Sequence, residues 1–237
     1  MDWGRAKTIL IVSFLLLNLM LGYQLWYDRV ATSASGSDTR EVARRIEEVM
    51  AARNIGLKTG IPKETPNMGE LEFAIYPAQG EPTLTPLRSP IPVSLLRDRD
   101  ALESALSEEI PDGAGYELDL PESGDNFYIL HQLHGGFPLF DVKLKLHIEG
   151  GVVKSFSQSH AELLGPAAGA RQKVLSGLRA VGILAEKLEP GTNIIDIRLG
   201  YHGQEFNSET RIFAPYWRII TDRDERYFVH AITGAVE

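Results

Sequence analysis

Cysteine is absent from this sequence, which excludes disulfides, thiol catalysis and cysteine-based zinc or iron–sulfur sites. That absence leaves the compartment open. Positive charge is also scarce: 24 Lys and Arg stand against 32 Asp and Glu, for a formal charge of -8. Without a concentrated basic patch the chain is a poor match for a polyanionic backbone, and nucleic acid is not an expected partner. Motifs that carry chemistry are missing as well. His131 and His134, three apart on a strand, point to opposite faces, which argues against joint metal ligation. No helix carries paired zinc-binding histidines, and no serine lies in a Gly-x-Ser-x-Gly turn between strand and helix. Residues 165–170 (GPAAGA) precede a helix but lack the Lys-Ser/Thr of a phosphate loop. No catalytic residue, metal ligand or cofactor is assigned.

The rest of the chain is organised around residues 8–27, TILIVSFLLLNLMLGYQLWY, a run without charge. About 20 residues rising about 1.5 Å each as a helix cover the roughly 30 Å hydrocarbon core of a bilayer. Trp3, Tyr23, Trp26 and Tyr27 suit the headgroup level as interface anchors. The run exceeds the apolar centre of a signal peptide, about 7 to 15 residues, and residues 31–35 (ATSAS) match a cleavage site poorly, so a retained anchor is expected. Arg5 and Lys7 before it against Arg29 directly after it place residues 1–7 in the cytoplasm as a short tail. Ile11, Leu15, Asn18, Gly22 and Leu25 recur every three or four residues and form the expected interaction face of the transmembrane helix. Asn18 with Gly22 makes a small, hydrogen-bonding patch on that face; a single tolerated Asn is the plainer alternative.

Residues 28–37 form a small polar spacer, and a folded domain is expected over 38–237. Asp38 and Glu41 make a capping box, with Val42, Ile46, Val49 and Met50 at helical spacing over 39–54. Leu71, Phe73 and Ile75 alternate as a strand, after which five prolines between 77 and 92 predict a segment of low regular structure. A second helix is predicted over 98–110, then strands over 116–120, 127–133 and 142–148, and a Gly150-Gly151 hairpin returning through 152–158. A third helix is predicted over 170–180 with a break at Gly182, followed by strands over 195–201, 211–220 and 226–232. The sum is an α+β fold, one N-terminal transmembrane helix followed by a mainly antiparallel sheet domain with packed helices, as one body or two lobes divided near residue 110. Near the end, Tyr216, Trp217, Tyr227 and Phe228 are dense enough to serve as core or as a docking surface, with Trp217 and Tyr227 expected to face one another across a hairpin.

The opening Met1-Asp2-Trp3 with Lys7-Thr8, and the closing Trp217-Arg218 with residues 227–234 (YFVHAITG), resemble YycI, of the YycH/YycI family of membrane-anchored regulators in Gram-positive bacteria. Leu199-Gly200-Tyr201 is a third point of agreement, and His230 stands where the family usually has Asn. The resemblance implies a non-enzymatic accessory regulator, single-pass in the cell membrane, with its N-terminus cytoplasmic and its C-terminal domain extracytoplasmic. The partners it implies are a YycH-like regulator, the sensor histidine kinase of the essential two-component system controlling cell-wall metabolism, and the lipid bilayer. It does not imply the sign of control. The alternative is an extracytoplasmic ligand-binding sensor for a peptide or cell-wall fragment, which an open groove near the proline-rich stretch or the terminal hairpin would favour. A membrane-tethered hydrolase would instead need a cleft with convergent titratable groups.

Overall fold

The computed structural model describes residues 36–77, 82–167, 169–203 and 210–237, together with Ile11, Ser13, Phe14, Leu15, Leu17, Asn18, Met20 and Gly22, each helical and exposed. Two units are distinguished, Met1–Arg45 and Ile46–Glu237. Among the described residues no helix is long and apolar enough to cross a membrane. Trp3, Tyr23, Leu25, Trp26 and Tyr27 lie outside the described residues.

Helix α1 spans Gly36–Ala52; Ile46 is buried, and Val49 and Met50 pack against a core of the second unit. The strands that follow are β1 (Gly56–Leu57), β2 (Asn67–Met68), β3 (Leu71–Tyr76) and β4 (Thr85–Pro92). After α2 (Arg99–Glu109) come β5 (Tyr116–Gly124), β6 (Phe127–His134), β7 (Phe137–Glu149), β8 (Val152–Gln158), β9 (His160–Pro166) and β10 (Gln172–Lys173). Helix α3 (Gly177–Ala185) leads into β11 (Asn193–Gly203), β12 (Thr210–Thr221) and β13 (Arg226–His230). Hydrogen bonds run through the order β4-β8-β7-β11-β12-β3-β9, with β5 and β6 attached at β7, β1 on β11 and β13 on β12. This is a mainly antiparallel α+β architecture.

Two apolar clusters form because the strand pattern is strict. On β7, Val142, Leu144 and Leu146 are fully buried while Lys143, Lys145 and His147 point the other way. Helix α2 lays Leu102 and Leu106 on the cluster that holds Leu144, Leu146, Val153 and Phe156, so residues on both sides of 110 share one core. The Asp98 carboxylate caps α2, accepting from the amides of Asp100 at 3.1 Å and Ala101 at 3.2 Å. The other cluster packs Val181 and Leu184 of α3 against Phe73, Phe213, Trp217 and Ile219. The β5–β8 part meets β11 at one parallel pairing, Leu139 with Tyr201. Gly200 makes that approach possible: a Cβ there would stand 2.5 Å from the Pro138 carbonyl and 2.7 Å from the Phe140 ring.

Three expectations are corrected. The proline-rich segment contributes a strand, β4, paired with β8 at Thr85–Pro86 and Ile91–Pro92 and interrupted between. It lies at the end of the strand order, where a missing proline N–H costs no ladder bond. The third helix spans Gly177–Ala185 and not 170–180, because the Ser176 hydroxyl caps it from the Arg179 amide at 3.3 Å while Gln172 and Lys173 pair with β2. Gly182 lies inside that helix, since Ile46 occupies the space a Cβ would need, at 2.6 Å. Strand β9, paired with β3, had no counterpart in the sequence reading. The Gly150-Gly151 hairpin is present, with φ of 62° and 80°.

Candidate functional site

Strand β12 is covered on both edges, by β11 and by β13, and every residue from 215 to 221 is buried. A strand buried this way is apolar unless each charge it carries has a partner. Trp217 turns into the α3 core and donates from Nε1 to the Leu175 carbonyl at 2.9 Å. Its neighbour Arg218 is fully buried.

Arg218 Nη1 donates to Asp119 Oδ2 at 2.6 Å and Glu122 Oε1 at 2.8 Å, and Nη2 donates to Asp196 Oδ2 at 2.8 Å. The guanidinium carbon lies 4.8 Å from the centre of the Phe140 ring. His131 Nε2 sits 3.3 Å from Asp119 Oδ2, and His131 Nδ1 is buried without a hydrogen-bond partner. Glu122 also receives Lys143 at 2.9 Å and Arg226 at 3.2 Å, while Arg198 pairs with Glu117 and lies 3.7 Å from Asp119. Arg198, Arg218, Arg226 and Lys143 thus stand against Glu117, Asp119, Glu122 and Asp196 around the His131 ring.

The electrostatics keep these groups charged. Burial alone raises the Asp119 carboxyl, but hydrogen bonds from His131 and Arg218 outweigh it and hold it at about 2. Burial likewise opposes ionisation of Glu122, and the charges of Lys143 and His131 lower it below the usual value. Arg218 is disfavoured by burial yet raised by its Asp119 bond. Burial, then the charges of Arg218 and Arg99, lower Arg198 to about 10, still cationic at neutral pH. Carboxylates held ionised and engaged by guanidinium groups have no proton to give, and the cluster clamps the strands together.

At the terminal hairpin, Tyr216 and Trp217 are buried, and Tyr227 and Phe228 are half-buried. Trp217 is opposite Val229, and Tyr227 is opposite Ile219, so Trp217 and Tyr227 do not face one another. The two-residue offset follows from a turn that closes with Ile220 opposite Arg226. Tyr216 donates to Glu237 Oε1 at 2.8 Å, and Phe228 stacks on His202 at 3.9 Å between ring centres. His230 Nδ1 accepts from the amides of Ile232 at 3.1 Å and Thr233 at 3.3 Å. Those are the bonds an Asn carbonyl makes in an Asx turn.

Of the helix face read from sequence, Ile11, Leu15, Asn18 and Gly22 are helical and exposed, and Leu25 is outside the described residues. The sequence reading did not find the Arg218 cluster. Its local signals are single charges in apolar strands, Arg218 within YWRII and Asp119 within LDL. Two cavities bear on a ligand site, and the second takes only Trp217 from the terminal hairpin. One of about 510 Å³ is bounded by Pro77, Pro82 and Leu84 of the proline-rich stretch. Another, of about 650 Å³, is bounded by Pro62, Pro66, Phe137, Leu199 and Trp217.

The protein-family model described as YycI protein matches residues 81–232, more than half of the chain. A crystal structure of an uncharacterized protein from Eubacterium rectale is similar at a TM-score of 0.42 and 11% sequence identity, over 86% of this chain and 82% of that one. No curated protein matches the chain.

Proposed function

The chain belongs to the YycI family, and from that premise we propose that it is a non-enzymatic accessory regulator of a sensor histidine kinase controlling cell-wall metabolism, acting together with a YycH-like protein. The observation that carries the reading is the family match over residues 81–232, which takes in the Arg218 cluster and most of the sheet. Residues 8–27 are its membrane anchor, with Trp3, Tyr23, Trp26 and Tyr27 at the interfaces, and residues 38–237 are its extracytoplasmic domain. The recurrence of Ile11, Leu15, Asn18 and Gly22 every three or four residues supports a docking face for another membrane helix. A regulator of this kind acts by binding one arrangement of the kinase helices more tightly than the other.

The test is a photoreactive residue at position 18 of the full-length protein in membranes, followed by identification of what is captured. Capture of the kinase or of a YycH-like protein is the expected result. If lipid alone is captured there, and probes on the sheet domain also retain neither protein, the reading fails. A second reading, an extracytoplasmic ligand sensor, draws on the cavity beside the proline-rich stretch.

A further inference from the structure

The cavity beside Pro77 and Pro82 differs in charge from the chain that surrounds it. The whole sequence carries eight more Asp and Glu than Lys and Arg, 32 against 24. Among the described residues lining this cavity there is no Asp or Glu, and Lys143, Lys145, His147 and Arg211 are all present. Three of them come from one rule of strand geometry: positions 143, 145 and 147 share the outward face of β7 because 142, 144 and 146 are in the core. Lys145 is flanked in register by Ile129 of β6 and Ser157 of β8. Arg211 arrives from a different direction, at the start of β12 opposite Phe73 of β3.

These cations are incompletely neutralised. Lys143 is engaged by Glu122 at 2.9 Å, but no carboxylate among the described residues pairs with Lys145 or Arg211. The Lys145 ammonium lies 4.3 Å from the centre of the Phe127 ring, a contact that leaves its charge in place. Arg211 Nε and His147 Nε2 are buried without hydrogen-bond partners. Burial, and then the charge of Lys145, lower the pKa of His147. Half-buried like charges and orphaned polar nitrogens both cost stability, and one bound anion relieves both.

We propose that this cavity binds a phosphate ester, with Lys145, His147, Arg211 and the Ser157 hydroxyl around the phosphate and Ile75, Leu84 and Ile129 against its carbon skeleton. Donors converging from β7, β8 and β12 suit a tetrahedral group of nearly two charges and three acceptor oxygens better than a planar carboxylate of one. A volume of about 510 Å³ has room for more than the phosphate, which calls for an organic skeleton. The inference deepens the sensor reading and rests on it.

The experiment titrates glycerol 1-phosphate into the full-length protein in neutral phosphatidylcholine nanodiscs, with glycerol as control, by calorimetry and by the imidazole NMR signals. Saturable binding of the ester and not of glycerol is expected, with the His147 titration midpoint moving up on binding. Lys145→Gln and Arg211→Gln are each expected to weaken binding about tenfold or more, as a lost charge-assisted hydrogen bond does. Their melting temperatures without ligand should be unchanged or higher, since each removes an uncompensated charge. A response on replacing part of the lipid with phosphatidic acid, a monoester, without soluble ester, assigns the phosphate to a lipid headgroup; a response to the soluble ester alone assigns it to a free one. Binding unaffected by both substitutions, or no response to either source, overturns the site. A neutral wall-type peptide run alongside separates the two readings: saturable binding of it without any response to phosphate leaves the sensor reading standing, and silence toward both removes both.

Discussion

Arg218 on β12 and Asp119 on β5 meet at 2.6 Å across 99 residues of chain, and both side chains are closed to solvent. Their bond ties the β5–β8 part of the sheet to β11 and β12, beside the single parallel pairing of Leu139 with Tyr201. An apolar core tolerates slippage that a buried charge cluster does not. Nη1 and Nη2 of Arg218 are each held by carboxylates from other strands, while Nε is buried without a hydrogen-bond partner, so the two held nitrogens specify how the strands are set.

Replacing Arg218 with Met should therefore lower unfolding stability by about 3–5 kcal/mol, since Asp119, Glu122 and Asp196 lose their shared guanidinium. Lys154→Gln, at an exposed pair with Glu149 of similar length, 3.0 Å, should change it by less than about 1 kcal/mol. Urea unfolding followed by tryptophan fluorescence separates the two outcomes, and equal effects would remove the clamp.

Gly200→Ala should destabilise by about 1–3 kcal/mol or more, because the Pro138 carbonyl that blocks its Cβ is backbone and cannot rotate away. Gly115→Ala, where nothing lies within 4 Å, serves as the control and should stay within about 0.5 kcal/mol. Thermal unfolding of the two variants is the measurement.

At His230 the outcome depends on one acceptor. His230→Ala should cost about 1 kcal/mol through the loss of the bonds from Ile232 and Thr233, whereas His230→Asn should keep most of the stability. Equal losses in both variants would point to ring packing on Tyr216, at 4.8 Å, as the larger contribution.

Acid should destabilise the protein in two steps. Burial lowers the folded-state values of His134, His147 and His230 below 6.5; for His230 it outweighs the nearby charges of Glu70 and Glu237. Groups with lowered folded values contribute fully above the unfolded value, and that contribution is lost as the pH falls from 6.5 through the folded values. Asp119 follows the same sign with a carboxyl window, losing its contribution as the pH falls from 3.8 through about 2. Stability measured against pH should show both declines, and Asp119→Asn should shrink the lower one, with Glu122, also lowered, keeping part of it.

The elements that sequence alone determined are those whose signal is local. The alternation of Val142, Leu144 and Leu146, the Gly150-Gly151 turn and the stripe of the helix predicted over 98–110 each sit within a few residues of what they control, and all three are present. The third helix was misplaced because Gly182 looks like a terminator until Ile46, far away in sequence, is found to fill its missing side chain. Strand β4 was hidden by prolines whose placement is harmless only at the end of the strand order. Tertiary structure decided the two features that carry charge. Arg218 has its acids on β5 and β11, and Arg211 joins the β7 lysines from the opposite end of the chain order. Composition reports an acidic chain because it averages over sequence, but a charge interacts over a few ångströms of space, and only the pairing of the strands determines which charges are that close.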